Sequence, residues 1–211
     1  MNEEAKIQLS EREMELVTNS EWIFTKQSII QKVYHLFGRL HEDFKEIISK
    51  QKPLLPAEMY ERSGKISKGE NYKGLPYVIL DYPATFSKEK ILAVRTFFWW
   101  GNFFSITLHV SGKYFTKKML SKEAIDFLKE KNFSVCLNDN QWQHHFHSSN
   151  FVSINEINEG VINDLEQKNF LKIARKTGLA DWNSAHKNLK EAFEEIIEFV
   201  KLSFPAGETG L

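Results

Sequence analysis

Cysteine is almost missing from this sequence. A single thiol, Cys136, stands among 211 residues, so no disulfide can close within the chain and a zinc site of several thiolates is excluded. Net charge is missing too, since 28 basic side chains meet 28 acidic ones. A chain so balanced lacks the field on which strong nucleic-acid binders and membrane-surface proteins rely. Long apolar runs are absent as well. The longest stretch without a formal charge lies between Arg95 and Lys113. Its Gly101-Asn102 pair, its hydroxyls and His109 leave it too short and too polar for a span of ~20 apolar residues. The opening Met1-Asn2-Glu3-Glu4 has neither the basic start nor the apolar core of a secretory signal. These absences set the expectation of a cytoplasmic protein with no membrane segment and with nucleic acid disfavoured as a partner.

What is abundant is aromatic: 17 Phe, 6 Tyr and 5 Trp. Rings of that size are either buried or used, so a thick core or a stacking surface is expected. An apolar share of 42% with 27% charged is ordinary for a globular chain of one domain, here spanning 1–211.

Hydrophobic spacing organises the chain. Ser10 and Glu13 have the spacing of a capping box and open a short helix to about Thr18, giving an N-terminal helical arm over 1–20. Ile29, Val33, Leu36, Phe37, Leu40, Phe44, Ile47 and Ile48 recur at steps of one, three and four, the stripe of a long amphipathic helix ending near Lys50. Between 50 and 75 the pattern dissolves into a long irregular loop punctuated by Gly64, Gly69 and Gly74. Residues 76–82 read as a strand closed by Pro83, and Ser87 as the cap of a short helix over 88–93. Two β-rich runs, 95–100 and 103–110, flank Gly101-Asn102. A two-residue type II′ turn there pairs Trp100 with Phe103, Phe98 with Ser105 and Thr96 with Thr107. A helix from Ser121, strands over 133–137 and 142–147, a helix over 155–176 stopped by Gly178, and a last helix over 184–202 complete the pattern, with a frayed tail over 203–211. The fold class that follows is α+β: a central, mostly antiparallel sheet of about five strands, including the 95–110 hairpin, flanked by long N- and C-terminal helices.

The motifs that would name a chemistry are absent: no phosphate-binding loop, no dinucleotide fingerprint, no HExxH and no GxSxG. Three weaker constellations remain. The first is one face of the predicted hairpin, where Thr96, Phe98, Trp100, Phe103, Ser105, Thr107 and His109 put rings beside hydroxyls and an imidazole, the make-up of a ligand cleft. On the opposite, apolar face Arg95 is the odd residue, to be explained by a carboxylate such as Asp81 or Asp126 or by a place at the sheet margin. The second is the pair His145 and His147, placed on one face of a strand, with His109 and Asp81 as further metal ligands. The third is the basic segment of Arg62, Lys65, Lys68 and Lys73 near Tyr72, Tyr77, Phe98 and Trp100, which could grip phosphates and stack bases. Cys136, in an apolar strand, reads as a small buried side chain.

The leading expectation is therefore non-covalent binding of a small ligand or a protein partner through the aromatic and polar sheet face, with no cofactor required. A metal-dependent, hydrolase-like enzyme using His145, His147 and His109 is one alternative. Nucleic-acid binding through the 62–73 segment is the other.

Overall fold

A computed structural model describes residues 7–204; the first six residues of the arm and the tail beyond Phe204 lie outside the described residues. The elements are α1 (Glu11–Thr18), α2 (Glu21–Gln51), β1 (Lys65–Tyr72), β2 (Leu75–Phe86), β3 (Ile91–Trp99), β4 (Phe103–Ser111), α3 (Lys122–Glu130), β5 (Ser134–Cys136), β6 (Phe151–Ser153), α4 (Glu159–Glu166), β7 (Phe170–Gly178) and α5 (Ala185–Ser203). The strands form one sheet in the order β1-β2-β3-β4-β7-β5-β6, and every paired neighbour is antiparallel. The α+β class and the flanking long helices are as expected, with seven strands where about five were read.

The helices α2 and α5 lie across one face of the sheet. The α2 stripe of Val33, Phe37, Leu40 and Phe44 meets Leu189, Phe193, Ile196 and Val200 of α5 and the inward side chains of β2, β3, β4 and β7 in one core. The rings of Phe44 and Phe193 stack at 3.7 Å between centroids and 7° between planes. Burying that many large side chains, at about 1.5–3 kcal/mol each, is what holds the helices to the sheet.

Four expectations are corrected by this arrangement. The segment 50–75 is not wholly irregular, because Lys65–Tyr72 pairs with β2 as an edge strand; its lysines and Gly69 masked a strand that shows little apolar alternation. Residues 88–93 form a turn and the start of β3 rather than a helix, since the Ser87 hydroxyl accepts from the backbone N–H groups of Glu89 and Lys90 at 3.2 and 3.1 Å. The expected helix over 155–176 is a short helix followed by β7, a strand paired along its length with β4. The apolar run Phe170-Leu171-Lys172-Ile173-Ala174 belongs to a strand covered on both faces, which reads from sequence like a helix segment. Residues 142–147 form no strand.

The hairpin register is a fifth correction, and the most consequential. Trp99 pairs with Phe103, Phe98 with Phe104, Thr96 with Ile106 and Arg95 with Thr107. The connection has three residues, with the Asn102 N–H donating to the Trp99 carbonyl at 3.0 Å and Gly101 at φ +69°. A left-handed position favours glycine, so the glycine marked the turn correctly, but as the middle of three connecting residues rather than the first of two. A slip of one residue carries every side chain of β3 to the other face.

Candidate functional site

The sheet face turned away from the helices is where polar and aromatic groups meet. It carries Asp81 of β2, Arg95, Phe97 and Trp99 of β3, Phe103, Ser105, Thr107 and His109 of β4, and Lys172 of β7, with the register as given above. Of the seven hairpin residues expected in a cleft, Phe103, Ser105, Thr107 and His109 share this face. Thr96 and Phe98 do not: both are buried on the helix side, Phe98 within the main core and Thr96 fully enclosed. Trp100 sits in the turn and packs half-buried against that core. Trp99 is buried on the face turned away from the helices, where its indole Nε1 donates to the Tyr72 carbonyl at 3.1 Å.

Residues 137–150 cover this face as a loop with a closed neck. The Leu137 N–H donates to the Asn150 carbonyl at 2.8 Å, and the Asn138 amide donates to the Ser149 carbonyl at 3.0 Å. The run Asn138-Asp139-Asn140 turns the chain through side chains: Asn138 Oδ1 accepts from the Asn140 N–H at 2.8 Å, and Asn140 Oδ1 from the Trp142 N–H at 3.0 Å. Asparagine offers the backbone this alternative to a ladder. The next donors go to a side chain as well, the His144 and His145 N–H groups both pointing at the Tyr72 hydroxyl, 2.7 and 3.2 Å away. This is why 142–147 is no strand despite its composition.

Beneath the loop lies a buried polar layer. Arg95 and Asp81 form a two-pronged ion pair, Nε to Oδ1 at 2.7 Å and Nη2 to Oδ2 at 2.9 Å, which resolves the odd arginine as a paired one. The third guanidinium nitrogen, Nη1, lies 3.0 Å from His144 Nε2. Arginine can only donate, so that imidazole nitrogen accepts and the ring is neutral. Burial, together with Lys172 and Arg95, holds His144 well below its ordinary range. His109 Nε2 meets the Gln141 Oε1 at 2.8 Å, and burial, reinforced by the Lys172 and Arg95 charges, pushes it down to about 3. Lys172, 1% exposed, has no carboxylate partner among the described residues. Its ammonium donates to the Gln141 and Gln143 carbonyls at 2.8 and 2.6 Å, and burial lowers it to about 8.

The metal candidates are not gathered. Asp81 is engaged by Arg95 and His109 by Gln141, while His145 and His147 stand edge to face at 4.8 Å between ring centroids. Among the described residues no group of three or more His, Cys, Asp or Glu is placed to hold a metal ion. The stacking partners expected beside the basic segment are also engaged elsewhere, Tyr72 packing edge-on against Phe97 and Trp99 and Phe98 lying under the helices. Cys136 is buried, with its thiol facing Asn150 Oδ1 at 3.3 Å, and burial raises its pKa.

At one margin of the polar layer a groove of about 500 Å³ opens, lined among others by Phe86, Ile91, Ser111, Gln141 and Trp142. Trp142 is 50% exposed and Phe86 39%, their rings 6.3 Å apart. Behind them stand the charged and polar groups: Arg95 is 5.8 Å from the Phe86 ring and His109 5.6 Å from that of Trp142. The groove wall needs a glycine. Gly112 has φ +59°, and a Cβ there would fall 2.1 Å from the Glu89 carbonyl oxygen. Sequence reasoning passed over Phe86, Gln141, Trp142 and Lys172. The one signal for Lys172 was a lone cation inside an apolar run; Trp142 carried none, because its neighbourhood depends on a loop folding over a distant sheet.

Compared with models of protein families, with curated proteins and with solved structures, the chain matches none.

Proposed function

We propose that this protein binds a small ligand non-covalently in the groove beside Trp142. The observation that carries the reading is a pair of half-exposed rings, Phe86 and Trp142, flanking a concavity whose floor residue Gln141 is fixed by His109 and Lys172. Ligand sites combine apolar walls with a few positioned polar groups in volumes of about 300–1,000 Å³. The buried polar layer is already paired within itself, so its part is to position the floor while the ligand meets Trp142, Phe86 and the Gln141 side of the groove. A flat, partly apolar molecule with hydrogen-bonding edges suits these walls. No helix of the described residues is long and apolar enough to cross a membrane, which fits a ligand taken from water.

The test is an NMR fragment screen of aromatic heterocycles against the labelled protein. Binders are expected to shift the amides of Ile91, Ser111 and Gln141, and Trp142→Ala is expected to weaken them about tenfold or more while leaving the fold intact. A screen whose hits all map elsewhere, or ignore Trp142→Ala, overturns the reading.

A further inference from the structure

The loop over the polar layer rests on the sheet through groups that acid turns against it. Its neck, Leu137 with Asn150 and Asn138 with Ser149, continues the pairing of β5 with β6. Past the neck, most of its holds on the sheet are polar. The Tyr72 hydroxyl accepts from the His144 and His145 N–H groups, Arg95 meets His144, His109 meets Gln141, and Lys172 donates to two loop carbonyls. The apolar anchors are fewer, chiefly Phe146 against Phe103 at 5.1 Å between centroids. A segment with few buried apolar contacts opens at less cost than the whole fold.

The charges around its imidazoles are nearly all positive. His144 faces Arg95 of β3, Lys172 of β7, His109 of β4 and its own neighbour His145, with the Tyr72 ring of β1 beside it. His109 faces Lys172 and Arg95, and His145 faces Lys73, His147 and Lys172. Lys176 stands over the Phe146 ring at 5.8 Å. Against these, the layer's own carboxylate is Asp81 of β2, and Arg95 takes both of its oxygens. Asp139 is exposed and pairs with Lys168, while burial keeps the Cys136 thiol of β5 protonated. A proton on His144 Nε2 would set an imidazolium against the guanidinium it now accepts from, 3.0 Å away, because arginine has no acceptor to offer. That conflict vanishes once the loop lifts into water.

We propose that residues 139–148 are an acid-opened flap: protonation of His144 and His109 drives the flap off the sheet about its closed neck and bares Arg95, Asp81 and Lys172. Both imidazoles sit below the ordinary 6.5 while the flap is closed and regain it when the flap is open. Closure is therefore complete above pH 6.5 and weakens as pH falls below it. Gln141 and Trp142 belong to the flap, so opening also dismantles one wall of the groove. That consequence rests on the ligand reading given above; the opening itself does not.

The experiment is residue-resolved amide exchange, followed by NMR, on the full chain without ligand at about pH 7.5 and about pH 5.5, each rate divided by that of an unstructured chain at the same pH. The reporters are the amides of His144 and His145, whose acceptor, the Tyr72 hydroxyl, belongs to the sheet. Their protection is expected to fall about a hundredfold at the lower pH, about tenfold for each of the two histidines, while the amides of β3 and β4 stay far better protected. His144→Gln keeps a neutral acceptor for Arg95 and should cut the fall, read at His145, to about tenfold. His109→Gln, which changes the sheet and leaves the flap intact, should do the same. Equal protection at both pH values in the wild type overturns the proposal. So does a fall that the strands share until loop and strands are equally protected, because the molecule then unfolds as a whole, or an undiminished fall in either variant. A groove that binds no ligand leaves all of these outcomes as they are.

Discussion

At the scale of single residues, Thr96 shows how much one register step decides. Read as a cleft residue, its hydroxyl would face water or ligand. In the structure it is fully buried under the helices, and its Oγ1 has no hydrogen-bond partner among the described residues. Enclosing an unpartnered hydroxyl costs about 1–3 kcal/mol. Thr96→Val, nearly the same shape, is therefore expected to raise stability by about 1 kcal/mol, measured as the shift in denaturation midpoint at constant slope. A loss of stability would mean that the hydroxyl finds a partner and that the face assignment is wrong. Arg95 is the opposite case. Its oddity on an apolar strand face was legible in sequence, with Asp81 and Asp126 as alternative partners; the pairing of β2 with β3 selects Asp81. His144 as the third member was not legible, since it arrives by way of a loop that crosses the sheet.

At the scale of elements, the buried ammonium of Lys172 is one of several groups that hold down the 137–150 loop. Two opposed effects meet at Lys172. Its bonds to the Gln141 and Gln143 carbonyls stabilise the closed loop, but a buried cation without an anion carries a desolvation penalty of several kcal/mol. Replacing Lys172 by Met removes both. The net change in global stability is expected to stay within about 1 kcal/mol, whereas amide exchange over residues 141–150 should quicken about tenfold or more as the loop loses its anchor. Hydrogen exchange followed by mass spectrometry separates the two. Global unfolding would show the lysine to be part of the sheet's own stability, and unchanged loop exchange would show that the neck bonds suffice. The hairpin teaches a related point: Gly101 announces a turn whichever register is used, but a three-residue connection and a two-residue one differ only in backbone geometry, which composition does not encode.

At the scale of the whole molecule, the sheet is covered unequally, by an apolar helical layer on one side and by a polar loop on the other. Acid should find the second side first. His109 sits at about 3 in the fold against an ordinary 6.5, and His144 is displaced in the same direction. Between about pH 3 and pH 6.5 the unfolded chain takes up protons that the folded chain refuses, so stability is complete above pH 6.5 and falls as pH drops through that window. Each such histidine contributes at most about 1.4 kcal/mol per pH unit. The melting midpoint is expected to fall between pH 7 and pH 5, above the carboxylate range, and His109→Gln should flatten that fall. An equal slope in the variant would place the acid sensitivity on other groups.

The sequence by itself determined the helices that pack by one stripe, α2 and α5, the capped α1, the aromatic hairpin with its glycine turn, and hence the α+β class. Each of these is written in local spacing: a period near 3.6, a cap three residues from its partner, two β-rich runs around a glycine. The tertiary structure alone decided which side of β3 faces the helices, that 170–178 is a central strand and not helix, and that 137–150 lies across a sheet built from residues far away in the chain. A strand covered on both faces loses the alternation that would betray it, a one-residue change of register alters no composition, and a loop finds its place only through the partners it meets, so none of these could be read before the chain was folded.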